Sequence, residues 1–140
     1  MSGRVTKLFQ IEEPDGSPAD TSAPGAAVGI AFAKGTGTVA FAVGGNAEIL
    51  PSPDGEPLLD AGDLAALLIG LRVRAERQLG RPVTHAVVAL PPIEEGPLVL
   101  AAEAAGLTIL DTTDLGTAPI ENAVLEAAVD AEDLAPKIPS

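Results

Sequence analysis

The chain has 140 residues, enough for one domain with a sizeable core, and sets 20 Asp and Glu against 8 Lys and Arg for a formal net charge of −12. Such a charge excludes nucleic acid and anionic membranes as partners unless the few cations are clustered. The lack of cysteine excludes a disulfide framework, a thiolate nucleophile and a cysteine metal site, and a single histidine, His85, argues against a histidine zinc site or a His-dependent triad built from this chain alone.

Near the start, Leu8-Phe9 with Ile11 is the first apolar cluster, and no uninterrupted apolar run approaches the length of about 18 residues that a membrane span needs. A soluble, cytoplasmic protein is therefore expected. The apolar stretch 5–11 is predicted to be an edge strand or an arm that docks on a partner. Residues 12–25, "EEPDGSPADTSAPG", are acidic and rich in Pro, Gly, Ser and Asp, and bury too little apolar surface to order themselves. Residues 1–25 thus read as a flexible arm and acidic linker.

From residue 26 the chain changes character. Strands are predicted over 27–33, 38–43 and 47–50, joined by a Lys34-Gly35-Thr36-Gly37 turn and a "GGN" turn at 44–46. Residues 51–57, "PSPDGEP", read as a loop. Asp60 or Asp63 caps a helix that runs to about residue 79, with Leu64, Leu67, Leu68, Leu71, Ala75 and Leu79 on one face, and Gly80 and Pro82 stop it. The nearly all-apolar run 83–90, ended by Pro91-Pro92, suits a strand buried on both faces. A second helix is expected over 94–105, with Leu98, Ala101, Ala102 and Ala105 on one face. A short strand follows over 107–110, then a third helix over about 118–129, started by Pro119. Residues 131–140 read as a loose tail.

The order β-β-β-α-β-α-β-α, a meander followed by crossovers, is the plan of a ribonuclease-H-like α/β domain over residues 26–130. It predicts a mixed five-stranded sheet with the last two strands parallel to the first. "AERQLGRPVTHAVVALPP" (75–92) followed by "AAEAAGLTIL" (101–110) resembles the Hsp70 nucleotide-binding domain. There a helix ends in a "YLG" type turn, followed by a "PVTEAVITVPA" strand, a helix, "AGL" and a short strand. Upstream, residues 28–56 resemble the Hsp70 opening, "IGIDLGTTNS" through "NAEG". The resemblance covers about residues 27–125 in order. A large stretch between the third strand and first helix is missing, as are the second half of the ATPase and the peptide-binding domain.

The resemblance implies a lost ATPase. Where the family has an aspartate in the first strand and a glycine two residues later, this chain has Ala31 and Ala33, and Lys34 stands in place of a threonine. The family's catalytic glutamate aligns near Leu115 or Gly116; Asp114 or Glu121 approaches the site only with a shifted alignment. An ATPase needs carboxylates for Mg²⁺ and its water and a second phosphate loop, and neither is expected here. No catalytic, cofactor-binding or metal residue is therefore assigned.

Other residues carry two readings each. The Lys34–Gly37 turn is an ordinary hairpin or a residual anion site. Arg72, Arg74, Arg77 and Arg81 are half of the chain's cations; Arg74, Arg77 and Arg81 are a docking patch for an acidic partner or a solvated face that offsets the helix dipole. His85 is a satisfied strand histidine or a pH switch. Asp111, Asp114 and Glu121 are loop and cap acids or paired acids for proton transfer. The expectation is a non-catalytic Hsp70-like domain working through contacts with a protein partner or another copy of itself. It would be an assembly factor or small structural subunit of a larger enzyme complex or compartment, with Leu8, Phe9, Ile11, Arg74, Arg77 and Arg81 as contact residues. The alternative is a nucleotide- or phosphate-binding regulator that uses the Lys34 turn.

Overall fold

The computed structural model describes residues 25–135. Strands β1 (Ala26–Ala33) and β2 (Thr36–Val43) form a hairpin in which Ala33 faces Thr36. Its loop is therefore Lys34-Gly35 alone, and Thr36 and Gly37 belong to the strand rather than to the expected four-residue turn. Both loop residues have positive φ, 53° and 82°, the backbone of a two-residue loop whose twist matches that of the strands it joins. Gly44 and Gly45 repeat this geometry (φ 62° and 84°) and lead into β3 (Asn46–Ile49).

Between the expected 51–57 loop and the helix lies an unpredicted two-residue strand, β4 (Leu59–Asp60), which pairs with Thr36 and Gly37 of β2. Asp60 is thus a strand residue, and its carboxylate accepts a 2.5 Å hydrogen bond from Thr36 Oγ1. Asp63 is the helix cap: its Oδ1 accepts from the Ala66 amide at 2.8 Å and so satisfies a donor that the first helical turn leaves free. Helix α1 (Leu64–Leu79) buries Leu67, Leu68, Leu71 and Ala75, as its spacing predicts, and ends at Gly80.

Strand β5 (Val83–Leu90) runs parallel to β1. A single 3₁₀ turn, Pro92–Glu94, leads into α2 (Glu95–Ala105). Strand β6 (Thr108–Asp114) pairs parallel with β5 as far as Leu90–Asp114, longer than the expected 107–110. Helix α3 (Ile120–Leu134) runs well past residue 129. The expected loose tail therefore begins inside a helix, because Ala131 is still buried against the sheet; residues 136–140 lie outside the described part.

The result is a six-stranded mixed sheet of order β3-β2-β1-β5-β6, with β4 beside β2, rather than the five strands predicted. Strand β2 alone runs against the others. Helices α1 and α2 cover one face, where Val28, Ile30, Phe32, Val88 and Leu90 meet Leu67, Leu68, Leu71 and Leu98. Helix α3 covers the other, where Ala27, Ala31, Val87 and Ala89 meet Ala123, Val124, Ala127 and Ala128. Successive residues of β1 thus serve opposite layers, the period-two alternation of a strand buried on both sides.

The α3 layer explains the many alanines. At Gly29 a β-carbon would stand 2.2 Å from the Ala128 amide nitrogen and 2.6 Å from the Ala127 carbonyl carbon. Helix backbone lies directly on strand backbone, and only glycine leaves room. The end of α3 is tied to the second hairpin: Glu132 accepts from the Gly44 amide at 2.6 Å and from the Gly45 amide at 2.9 Å. Glu132→Ala is expected to cost about 1 kcal/mol, the scale of a solvent-accessible charge-assisted pair of bonds. It should also speed hydrogen exchange at Gly44 and Gly45; unchanged exchange at both would show the tie to be dispensable.

Candidate functional site

Ala31, the position where the resemblance implies an aspartate, is fully buried and packs with Ala40, Ala89 and Val124 in the dry layer beneath α3. A carboxylate there would be taken out of water with no partner at hand, a costly arrangement. The Lys34 amide donates to Glu94 Oε2 at 3.1 Å, and the Gly35 carbonyl accepts from the Ala61 amide at 2.9 Å. With Asp60 on Thr36, the loop that could have cradled a phosphate is bordered by the protein's own carboxylates.

Beside it, at the C-terminal ends of β5 and β6, lies a small cavity of about 100 Å³ lined by Leu90, Pro92, Glu95, Thr112, Thr113 and Asp114. Thr112 Oγ1 donates to Glu95 Oε2 at 2.9 Å, and Asp114 Oδ1 accepts from the Gly116 amide at 2.8 Å. Asp111 and Asp114 are therefore strand acids of β6 rather than loop acids; Asp111 Oδ1 accepts from the Thr112 amide, and Glu121 sits in the first turn of α3. Asp111 and Asp114 are each engaged by a backbone amide one or two residues on. His85, half-buried in β5, has Nδ1 2.7 Å from Thr84 Oγ1, which also accepts from the Gly25 amide at 3.0 Å.

A larger hollow lies elsewhere. A groove of about 570 Å³ runs between the 51–57 loop and α1, walled by Pro51, Pro53, Val73, Arg74, Arg77 and Gln78. Its loop wall is built, not slack. The Ser52 hydroxyl accepts from the Asp54 and Glu56 amides, and the Ser52 amide donates to the Glu56 carbonyl. Arg74 Nη1 donates to the Glu56 and Pro57 carbonyls at 3.3 and 3.2 Å, and Gln78 Nε2 donates to the Pro51 carbonyl. Burial pushes the Arg74 pKa below its ordinary value, since desolvation disfavours the charged form.

The arginines predicted as one patch thus divide. Arg72 pairs with Glu76 at 2.9 Å, the one ion pair among the described residues, and the same Glu76 oxygen accepts from the Val83 amide. Arg74 clamps the loop. Arg77 is exposed on the groove wall with no carboxylate bound to it among the described residues. Arg81, also exposed, follows the helix and does not line the groove. A second hollow of about 350 Å³, bounded by Phe41, Val43, Leu50 and Leu79, adjoins the same end of α1. In the same layer, Ile93 of the 3₁₀ turn and Val99 and Leu100 of α2 are 88%, 64% and 73% exposed, an apolar strip open to solvent.

Sequence reasoning placed Arg74 and Arg77 together but missed the groove. The available signal was a loop with three prolines followed by arginines three residues apart on a helix. Leu8, Phe9 and Ile11 lie outside the described residues. No protein-family model matches the chain, and no curated protein matches it in sequence. Among the described residues no helix is long and apolar enough to cross a membrane, and no group of three or more His, Asp or Glu side chains is placed to hold a metal ion.

Proposed function

We propose that this chain is a non-catalytic, Hsp70-like domain of ribonuclease-H-like fold that works in the cytoplasm through protein–protein contacts. It serves as an assembly factor or small structural subunit of a larger complex, with a protein partner or another copy of itself on its groove and open apolar strip. The fold reading is supported by the order β3-β2-β1-β5-β6 with β2 the single reversed strand and helices on both faces. The observation that carries the functional reading is the Glu94 carboxylate on the Lys34 amide, where a bound phosphate would need that donor. Ala31 in the dry layer supports it further. Ile93, Val99 and Leu100 supply apolar area of the kind that marks contact surfaces.

Two measurements test this. Calorimetry with Mg-ATP is expected to detect no binding tighter than roughly millimolar, an affinity of only about 4 kcal/mol, and no hydrolysis. Micromolar binding that Lys34→Ala abolishes would overturn the reading in favour of a nucleotide- or phosphate-binding regulator. Tagged full-length protein purified from its host is expected to carry a partner in fixed stoichiometry. Leu100→Asp should reduce that partner about tenfold or more, the effect of losing a contact worth over 1 kcal/mol, with an unchanged melting temperature. Retention of the partner by this variant would exclude the α2 strip as a contact.

A further inference from the structure

We propose that the groove between the 51–57 loop and α1 is occupied in cis by the chain's own residues 8–15, so that a partner must displace them. The inference rests on the reading of the groove as a protein-contact surface and adds its regulation. The groove has two characters: Pro51, Pro53 and Val73 are apolar, and Arg74 and Arg77, one turn apart on α1, make it cationic. Arg77 has no carboxylate partner among the described residues.

Residues 8–15, "LFQIEEPD", carry the complementary pattern. Leu8, Phe9 and Ile11 are apolar, and Glu12, Glu13 and Asp15 follow directly. A chain of net charge −12 repels such a segment over most of its surface, whereas the Arg74–Arg77 wall carries two of its eight cations. The volume of about 570 Å³ is that of a pocket able to bury several side chains.

The tether is short enough and starts in the right place. The Gly25 amide donates to Thr84 Oγ1 and the Ala26 amide donates to the Pro82 carbonyl, so the chain enters the sheet beside the end of α1, whose last two turns form the groove. Asp15 and Gly25 stand ten residue steps apart, with nine residues between them. Extended, these steps span up to about 33 Å, more than the roughly 24 Å length of α1. A tether of this length holds the segment at an effective concentration on the order of millimolar, so a weak contact suffices to populate the closed form.

The cysteine-free chain makes the test direct. Gln10→Cys, between the apolar anchors, is spin-labelled in the full-length protein, and amide signals are compared with the label oxidised and reduced. At Val73, Arg77 and Gln78 the oxidised label is expected to at least halve the signal, independent of protein concentration. Arg77→Glu should remove this loss, and adding Glu12→Arg with Glu13→Arg should restore it. A full signal in the parent chain overturns the inference while leaving the partner reading to its own co-purification test. So does a loss unaffected by Arg77→Glu, or a charge swap that restores nothing. A loss seen only when spin-labelled chain is mixed with isotope-labelled, cysteine-free chain also overturns it, since the occupant is then a second copy.

Discussion

Gly29→Ala is expected to be among the most damaging single-methyl changes in the domain. The added carbon would sit 2.2 Å from a backbone nitrogen of α3 and 2.6 Å from two backbone carbons, so no rotamer change relieves it. The helix must lift from the sheet, which opens the layer formed by Ala31, Ala40, Ala89, Val124 and Ala128. Overpacking of a well-filled core costs about 1–3 kcal/mol when side chains can shift, and backbone contact places this case at or above the upper end. That is a large share of the 5–15 kcal/mol typical of a whole domain, and corresponds to a fall of about 10 °C or more in melting temperature. Gly96→Ala is the control. It lies in the first turn of α2 with nothing but its chain neighbours within 4 Å of its would-be β-carbon, and is expected to change stability by no more than about 0.5 kcal/mol. A Gly29→Ala protein that melts with the parent would show that α3 does not rest on β1 in this way.

Leu71→Ala is expected to destabilise by about 2–5 kcal/mol, the lost transfer energy plus the cavity left behind. Leu71 is fully buried in the α1 layer, in the same cluster as Phe32 and Val39, and its Cδ1 would touch a β-carbon at Gly37 at 3.2 Å. Urea unfolding measures it: the midpoint should fall with little change in slope, because the surface exposed on unfolding is nearly the same. Leu100→Ala, at a residue 73% exposed on α2, should change stability by no more than about 0.5 kcal/mol. Equal effects at the two leucines would contradict the facing of these helices.

Leu71 and Gly29 differ in how legible they are in the chain. Leu71 is visible in the chain as one member of a leucine stripe at helical spacing, and the structure buries Leu67, Leu68 and Leu71 together. Gly29 is not. In the sequence it looks like one more small residue in the run "VGIAFAKGTG". Its role depends on Ala127 and Ala128, about a hundred residues later, lying against it. The groove is hidden for the same reason: Val73, Arg74 and Arg77 are legible as helix residues, but their facing wall is a loop whose position depends on Arg74 and Gln78 reaching the 51–57 backbone.

The features legible in the chain alone are local. The stripe of α1, its stop at Gly80, the all-apolar β5 and the glycine-containing hairpin loops are each set by residues within one or two turns of one another, so their signals survive in a linear reading. The sixth strand, the length of β6 and α3, and the environment of the Lys34 loop depend instead on contacts between distant segments. Leu59 and Asp60 have no strand signal of their own and become β4 because β2 offers a free edge. Helix α3 continues past residue 129 because Ala131 finds the sheet and Glu132 finds the Gly44 and Gly45 amides, 88 and 87 residues away in sequence. Glu94 reaches the Lys34 amide across 60 residues. These outcomes come from burial and hydrogen bonding between distant segments, free energies that exist only after the chain has folded.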